Sequence, residues 1–339
     1  MLHRLAAPAL AAALAAVPLT ALGPLAAAAQ EACGTVQIAE MNWASAGVAA
    51  QIDRLILAEG YGCRVELVSG DTVPTFTSMD EKGAPDVAPE FWTNAVADQL
   101  EAAVAAGRLV VAGDILRDGG EEGWWIPAYF AEAHPEIRSV ADALARPELF
   151  PAPENPARGG IVGCPAGWTC QAVTENLFRA RGAAEKGFEL VDPGSAAGLD
   201  GSLAAAYERR APWLGYYWAP TALLGKYPMV RLEPGVEHDL AELQRCTSVP
   251  DCPDPKDNDY ARARVSTVVT RAFADRAGPA MAYFARRSWD NATLGRLLAC
   301  QEDNQASNED AARRFLSENE ALWTEWVTPE AAAKIGAAL

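Results

Sequence analysis

Cys164-Pro165-Ala166-Gly167-Trp168-Thr169-Cys170 sets two cysteines, a proline, a glycine and a tryptophan into seven residues, directly ahead of a helical pattern that begins at Gln171. A disulfide across so short a loop holds the indole rigid. The helix behind it aims unbonded backbone N–H groups, and the positive end of its dipole, at the same point. An electron-rich ring face attracts a cation, and a helix start attracts an anion. Side by side they suit a small zwitterion, which speaks for binding rather than catalysis.

Outward from this loop the chain alternates strand and helix. Segments 36–42, 64–69, 86–90, 109–112 and 124–127 read as strands, with helical segments over 48–57 and 94–106. The pattern restarts with strands at 160–163, 188–191 and 213–218 and helices at 170–181 and 195–209. A Pro- and Asp-rich stretch over 246–259 reads as irregular loop, 265–270 as a strand, and the rest as mainly helix. Such βαβ alternation predicts an α/β fold with mostly parallel sheets covered by helices. Two similar halves predict a bilobed molecule with a ligand cleft between its α/β domains. Lobe 1 is expected over 30–126 plus 262–339 and lobe 2 over 127–261, with the chain crossing near 127 and returning near 262. Ligands of such sheets sit at the carboxyl ends of the strands.

The N-terminus has its own composition. A short basic start, Met1-Leu2-His3-Arg4, precedes an Ala- and Leu-rich run broken by prolines, and Ala27-Ala28-Ala29 fits a small-residue cleavage site. Residues 1–29 read as a secretory signal peptide, with a mature chain beginning near Gln30 in the periplasm. No later segment is long and apolar enough to span a bilayer. The formal net charge of −17 over 339 residues argues against nucleic acid and anionic surfaces as partners. Export permits disulfides. Seven cysteines leave at least one without an intrachain partner. Cys164–Cys170 and Cys246–Cys252 are the first pairs by proximity. Cys33 and Cys63 each stand just before a strand, and neighbouring parallel strands would bring them together, leaving Cys300 over.

Ten tryptophans are many for this length. Trp92, Trp168 and Trp218 lie at or just after the end of a strand, beside a turn or helix start, and Trp43 shares that context. Strand ends face the cleft, so these indoles are candidates to converge there. Trp213, Trp289, Trp323 and Trp326 read as packing residues, and Trp124 and Trp125 fit either role. Each desolvated cation–π contact contributes up to about 2 kcal/mol. Three give roughly 6 kcal/mol, short of the roughly 8 kcal/mol of a micromolar complex. A second anchor is therefore expected: the N–H groups of Thr169 and Cys170 holding a carboxylate. Glu90, two residues before Trp92, either adds negative charge near the cation or is a solvent-facing or ion-paired carboxylate.

In these residues the chain resembles the periplasmic glycine betaine/proline betaine-binding proteins of ABC importers. The family carries a Cys-x-Pro-Gly-Trp-x-Cys loop, and here Pro165-Ala166-Gly167 replaces x-Pro-Gly. Phe91-Trp92-Thr93-Asn94 and Gly215-Tyr216-Tyr217-Trp218-Ala219-Pro220 resemble the family's other two cage motifs, in the same order and spacing. The resemblance implies a type II periplasmic binding protein in which Trp92, Trp168 and Trp218 form the cage, with Cys164–Cys170 a disulfide. It further implies that the backbone of Thr169 and Cys170 receives the ligand carboxylate. Related choline-binding proteins carry an aromatic where this chain has Trp43, a candidate fourth wall. Some members place a histidine four residues after the first cage tryptophan, and this chain has Val96 there. The partners implied are a small betaine-type zwitterion and an inner-membrane ABC permease. No cofactor or metal is called for, and a monomer is expected.

Rival readings find little support. A secreted hydrolase would have to use His134 or His238, neither in a supporting motif, and no Gly-x-Ser-x-Gly elbow is present. Cys164 and Cys170 are not spaced as a redox Cys-x-x-Cys. Asp251, Asp254, Asp257 and Asp259 lack the spacing and glycine of a calcium loop and read as a solvated acidic turn.

Overall fold

Alternating apolar residues build the first strand. Val36 and Ile38 are fully buried in β1 (Thr35–Met41), and the following Trp43 stands in extended backbone at the start of the helix Ala44–Leu55. This is a computed structural model, and it describes residues 33–339. The expected signal peptide over 1–29 and the mature start near Gln30 lie outside the described residues. No helix among the described residues is long and apolar enough to cross a membrane.

Among the described residues, ten strands form two five-stranded sheets. The first contains β1, β2 (Arg64–Gly70), β3 (Val87–Trp92), β4 (Leu109–Asp114) and β10 (Val265–Thr270), in the order β2-β1-β3-β10-β4. The second contains β5 (Glu121–Pro127), β6 (Gly159–Val162), β7 (Phe188–Val191), β8 (Gly215–Ala219) and β9 (Met229–Arg231), in the order β7-β6-β8-β5-β9. Within each sheet the strands joined by helical crossovers are parallel: β1 with β2 and β3, and β6 with β7 and β8. One strand in each sheet is antiparallel to both its neighbours, β10 in the first and β5 in the second. Each of these arrives from the other sheet instead of through a local βαβ crossover, so it can enter from the opposite end. The sheets are therefore mixed rather than mostly parallel.

The crossing point differs from the sequence expectation. The sequence places the strand around Trp124 in the first half, but β5 pairs with β8 and β9. The chain changes sheets between Asp114 and Glu121, ahead of residue 127. The returning segment runs beside it: Gly120 and Ala263 exchange both backbone hydrogen bonds at 2.8 Å, and Ile115 N–H donates to Val265 O. A lone strand carries no mark of which sheet it joins when its partners lie so far along the chain.

The three expected disulfides form. Cys33–Cys63 closes over the start of the β1–β2 ladder, where Thr35 pairs with Arg64. Cys164–Cys170 and Cys246–Cys252 close their short loops, and Cys300 is the free thiol. Under the first sheet lies a fully buried ion pair, Arg287 Nη2 to Asp53 Oδ2 at 2.8 Å. Tyr283 OH also donates to Asp53, and Arg287 reaches Thr267 Oγ1 at 2.9 Å. Burial pushes the Asp53 carboxyl up to about 6, against the lowering pull of Arg287.

Candidate functional site

Four strand ends deliver indoles to one pocket. Trp43 follows β1, Trp92 ends β3, Trp168 lies in the loop after β6, and Trp218 is the penultimate residue of β8. Trp43 and Trp92 come from the first sheet, Trp168 and Trp218 from the second. Together they line one narrow pocket, with a cavity of only about 20 Å³ between them. Thr72, Thr169 and Cys170 line it too, as do Glu122 and Tyr216.

Trp168 stands steeply against both Trp43 and Trp218. Trp43 meets Trp168 edge-on, with centroids 5.2 Å apart and planes at 72°. Trp168 meets Trp218 in the same way at 5.1 Å and 85°. Such T-shaped contacts suit the ring quadrupoles, and perpendicular walls make the corners of a box. Trp92 is held close by the crossing segment. A Cβ on Gly120 would fall 2.1 Å from its ring, so only glycine leaves room there.

Hydrogen bonds fix the indole edges. Trp168 Nε1 donates to Asn42 Oδ1 at 2.7 Å. Trp43 Nε1 and Trp92 Nε1 both donate to Glu90 Oε1, at 2.7 and 3.1 Å, and Ser45 Oγ adds a third donor at 2.9 Å. Glu90 is fully buried, and that burial raises its pKa while the three donors pull it down. The carboxylate thus faces indole edges rather than solvent or a cationic partner.

The disulfide loop presents the helix start as its sequence suggests. Gly167 adopts φ +88°, a conformation that favours glycine. The turn's own bonds run from Trp168 N–H to Pro165 O and from Gln171 N–H to Trp168 O. The helix Cys170–Ala180 follows. Among the described residues, no hydrogen bond engages the N–H of Thr169 or Cys170.

Glu122 and Tyr216 were not among the expected site residues. Tyr216 alternates with Trp218 along β8 and so shares its face. Glu122 pairs directly with Trp218 across the β5–β8 ladder. Tyr216 OH donates to Glu122 Oε1 at 2.8 Å. Burial pushes the Glu122 carboxyl up to about 7. No sequence signal marked it, because the β5–β8 pairing is not legible along the chain. Thr72, which opens the helix after β2, was also missed. Trp124 and Trp125 are core residues, the first under the Arg181 guanidinium at 5.0 Å, the second donating to Tyr217 O at 3.0 Å. In the acidic loop, Asp257 accepts from Arg181 and Asp259 takes Arg231 on both oxygens.

Two α/β sheets joined by paired crossings, with an aromatic pocket at their strand ends, define a bilobed solute-binding protein. The chain belongs to the family described as the substrate binding domain of ABC-type glycine betaine transport systems, whose model matches residues 34–318. A trimethylamine N-oxide-binding protein of Pelagibacter ubique is 23% identical over 291 residues, covering 84% of this chain and 87% of the relative. Among solved structures, a choline-binding protein in complex with choline superposes with a TM-score of 0.71 at 20% identity, covering 91% of this chain and 99% of the other. A glycine betaine/L-proline-binding protein from Borrelia burgdorferi gives 0.69 at 19% identity, covering 89% and 99%.

Proposed function

We propose that the protein is the exported, periplasmic solute-binding component of an ABC importer, holding a small ligand by its methylated ammonium or sulfonium head. The box of perpendicular indoles, Trp43, Trp168 and Trp218 with Trp92 beside them, carries this reading. A methylated cation is poorly hydrated, and each ring face offers it attraction without a strong hydrogen bond to lose. The protein's role is to bind and deliver to an inner-membrane permease, acting as a monomer and without catalysis.

The polar end of the ligand has two candidate receivers. The Thr169 and Cys170 N–H groups suit the carboxylate of a glycine betaine-like zwitterion. Glu122 favours a second reading. A carboxyl that titrates near 7 inside the pocket donates to an N-oxide oxygen when protonated and accepts from a hydroxyl when ionised, but repels a carboxylate once ionised. The relatives named for trimethylamine N-oxide and choline fit that alternative. Titration calorimetry with glycine betaine, choline and trimethylamine N-oxide decides. The expected result is a dissociation constant near micromolar or tighter for at least one, with the order among them identifying the receiver. Silence toward all three and toward dimethylsulfoniopropionate and carnitine, beside clear binding of an unrelated solute, overturns the reading.

A further inference from the structure

Glu90 lies behind the box and lines no part of the pocket. One of its oxygens accepts both first-sheet indole N–H groups and Ser45 Oγ. The other, Oε2, is buried without a hydrogen-bond partner. Arg287, whose field reaches Glu90, is already committed to Asp53 at 2.8 Å. Trp43 Nε1 and Trp92 Nε1 can only donate, so Oε1 must be an acceptor in every state. Burial disfavours the charged form of Glu90, but when ionised it stands under the box with no directly paired cation. Negative charge at the indole N–H edges pushes electron density toward the ring faces and makes them better partners for a cation.

We infer that Glu90 is a positioning residue that sets the orientation of Trp43 and Trp92 and supplies, through them, the countercharge for a cationic head bound in the box. This deepens the reading above and rests on it. The two halves separate by substitution: Glu90→Gln keeps an acceptor oxygen but removes the charge, whereas Glu90→Asp keeps the charge but withdraws it by one methylene.

The test uses tetramethylammonium and its near-isostere in uncharged form, 2,2-dimethylpropan-1-ol, with indole N–H resonances of the ligand-free protein read by NMR. In Glu90→Gln, two of the ten indole resonances are expected to move upfield. Tetramethylammonium affinity should fall about tenfold while the alcohol changes less than about twofold. In Glu90→Asp the same two resonances should move, with the ratio between the probes kept. Equal losses of both probes in Glu90→Gln overturn the countercharge. Unmoved indole resonances in both variants overturn the positioning role. If the unsubstituted protein binds neither probe, the functional reading and the countercharge fall together, and the resonances still decide the positioning.

Discussion

The indole N–H of Trp168 donates to the side-chain oxygen of Asn42 at 2.7 Å, and this bond joins the second sheet's loop to the end of the first sheet's leading strand. Trp168 thereby carries two duties, a wall of the pocket and a tie between sheets. Trp168→Ala is expected to weaken binding of the preferred methylated ligand at least about tenfold, since one desolvated cation–π contact is worth about 1.4 kcal/mol or more. Asn42→Ala should cost less, about 1 kcal/mol or roughly fivefold. Calorimetry checks both, and an unchanged constant for Trp168→Ala removes the indole from the site.

Gly120 offers a way to disturb Trp92 without touching it. A methyl there would fall 2.1 Å from the ring, so Gly120→Ala forces the indole aside. Overpacking of this kind costs about 1–3 kcal/mol. Ligand affinity is expected to drop by tenfold or more while circular dichroism stays native. Retained affinity would mean that Trp92 is not a wall.

Glu122 gives the binding a pH signature. Its carboxyl sits at about 7 in the folded protein, above the ordinary 4.5, because burial disfavours the charged form. A bound cation favours the carboxylate, so binding releases a proton, and choline affinity should rise as pH increases through about 7. Stability of the ligand-free protein runs the other way. The folded state holds a proton that the unfolded chain has released, so stability is lost between about 4.5 and about 7 as pH rises. Glu122→Gln should flatten both slopes, measured by calorimetry and thermal melting.

Asp53 and Arg287 are both fully buried. Arg287→Met leaves the Asp53 carboxyl without its cation, and such a break costs about 3–5 kcal/mol. Pairing it with Asp53→Leu should recover much of the loss, because no charge then stays uncompensated. Denaturant midpoints report both; a loss below about 1 kcal/mol for the single variant contradicts the pair's role.

The indoles were legible because each sits where a strand gives way to a turn or helix start, and strand ends of open sheets face the cleft. Cys33 and Cys63 were legible as a pair for a related reason: each precedes a strand, and β1 and β2 run parallel in register. What escaped depends on non-local pairing. Glu122 enters the pocket only because β5 lies against β8, and the same ladder moves the sheet boundary ahead of Glu121. Glu90 was visible, yet its role was not. Its three donors come from the end of its own strand and from the start of the helix after β1, a convergence that spacing alone does not reveal.

Six of the seven cysteines are locked in disulfides, so Cys300 alone offers a reactive sulfur for chemical tagging. It sits in the helix Asn291–Asp303, two positions before Glu302, whose carboxylate meets the Lys226 ammonium at 2.9 Å. Lys226 belongs to the stretch between β8 and β9 of the opposite sheet. A maleimide dye at Cys300 would therefore tag, at a single site and with no engineered cysteine, the helix that reaches across to the opposite sheet's Lys226.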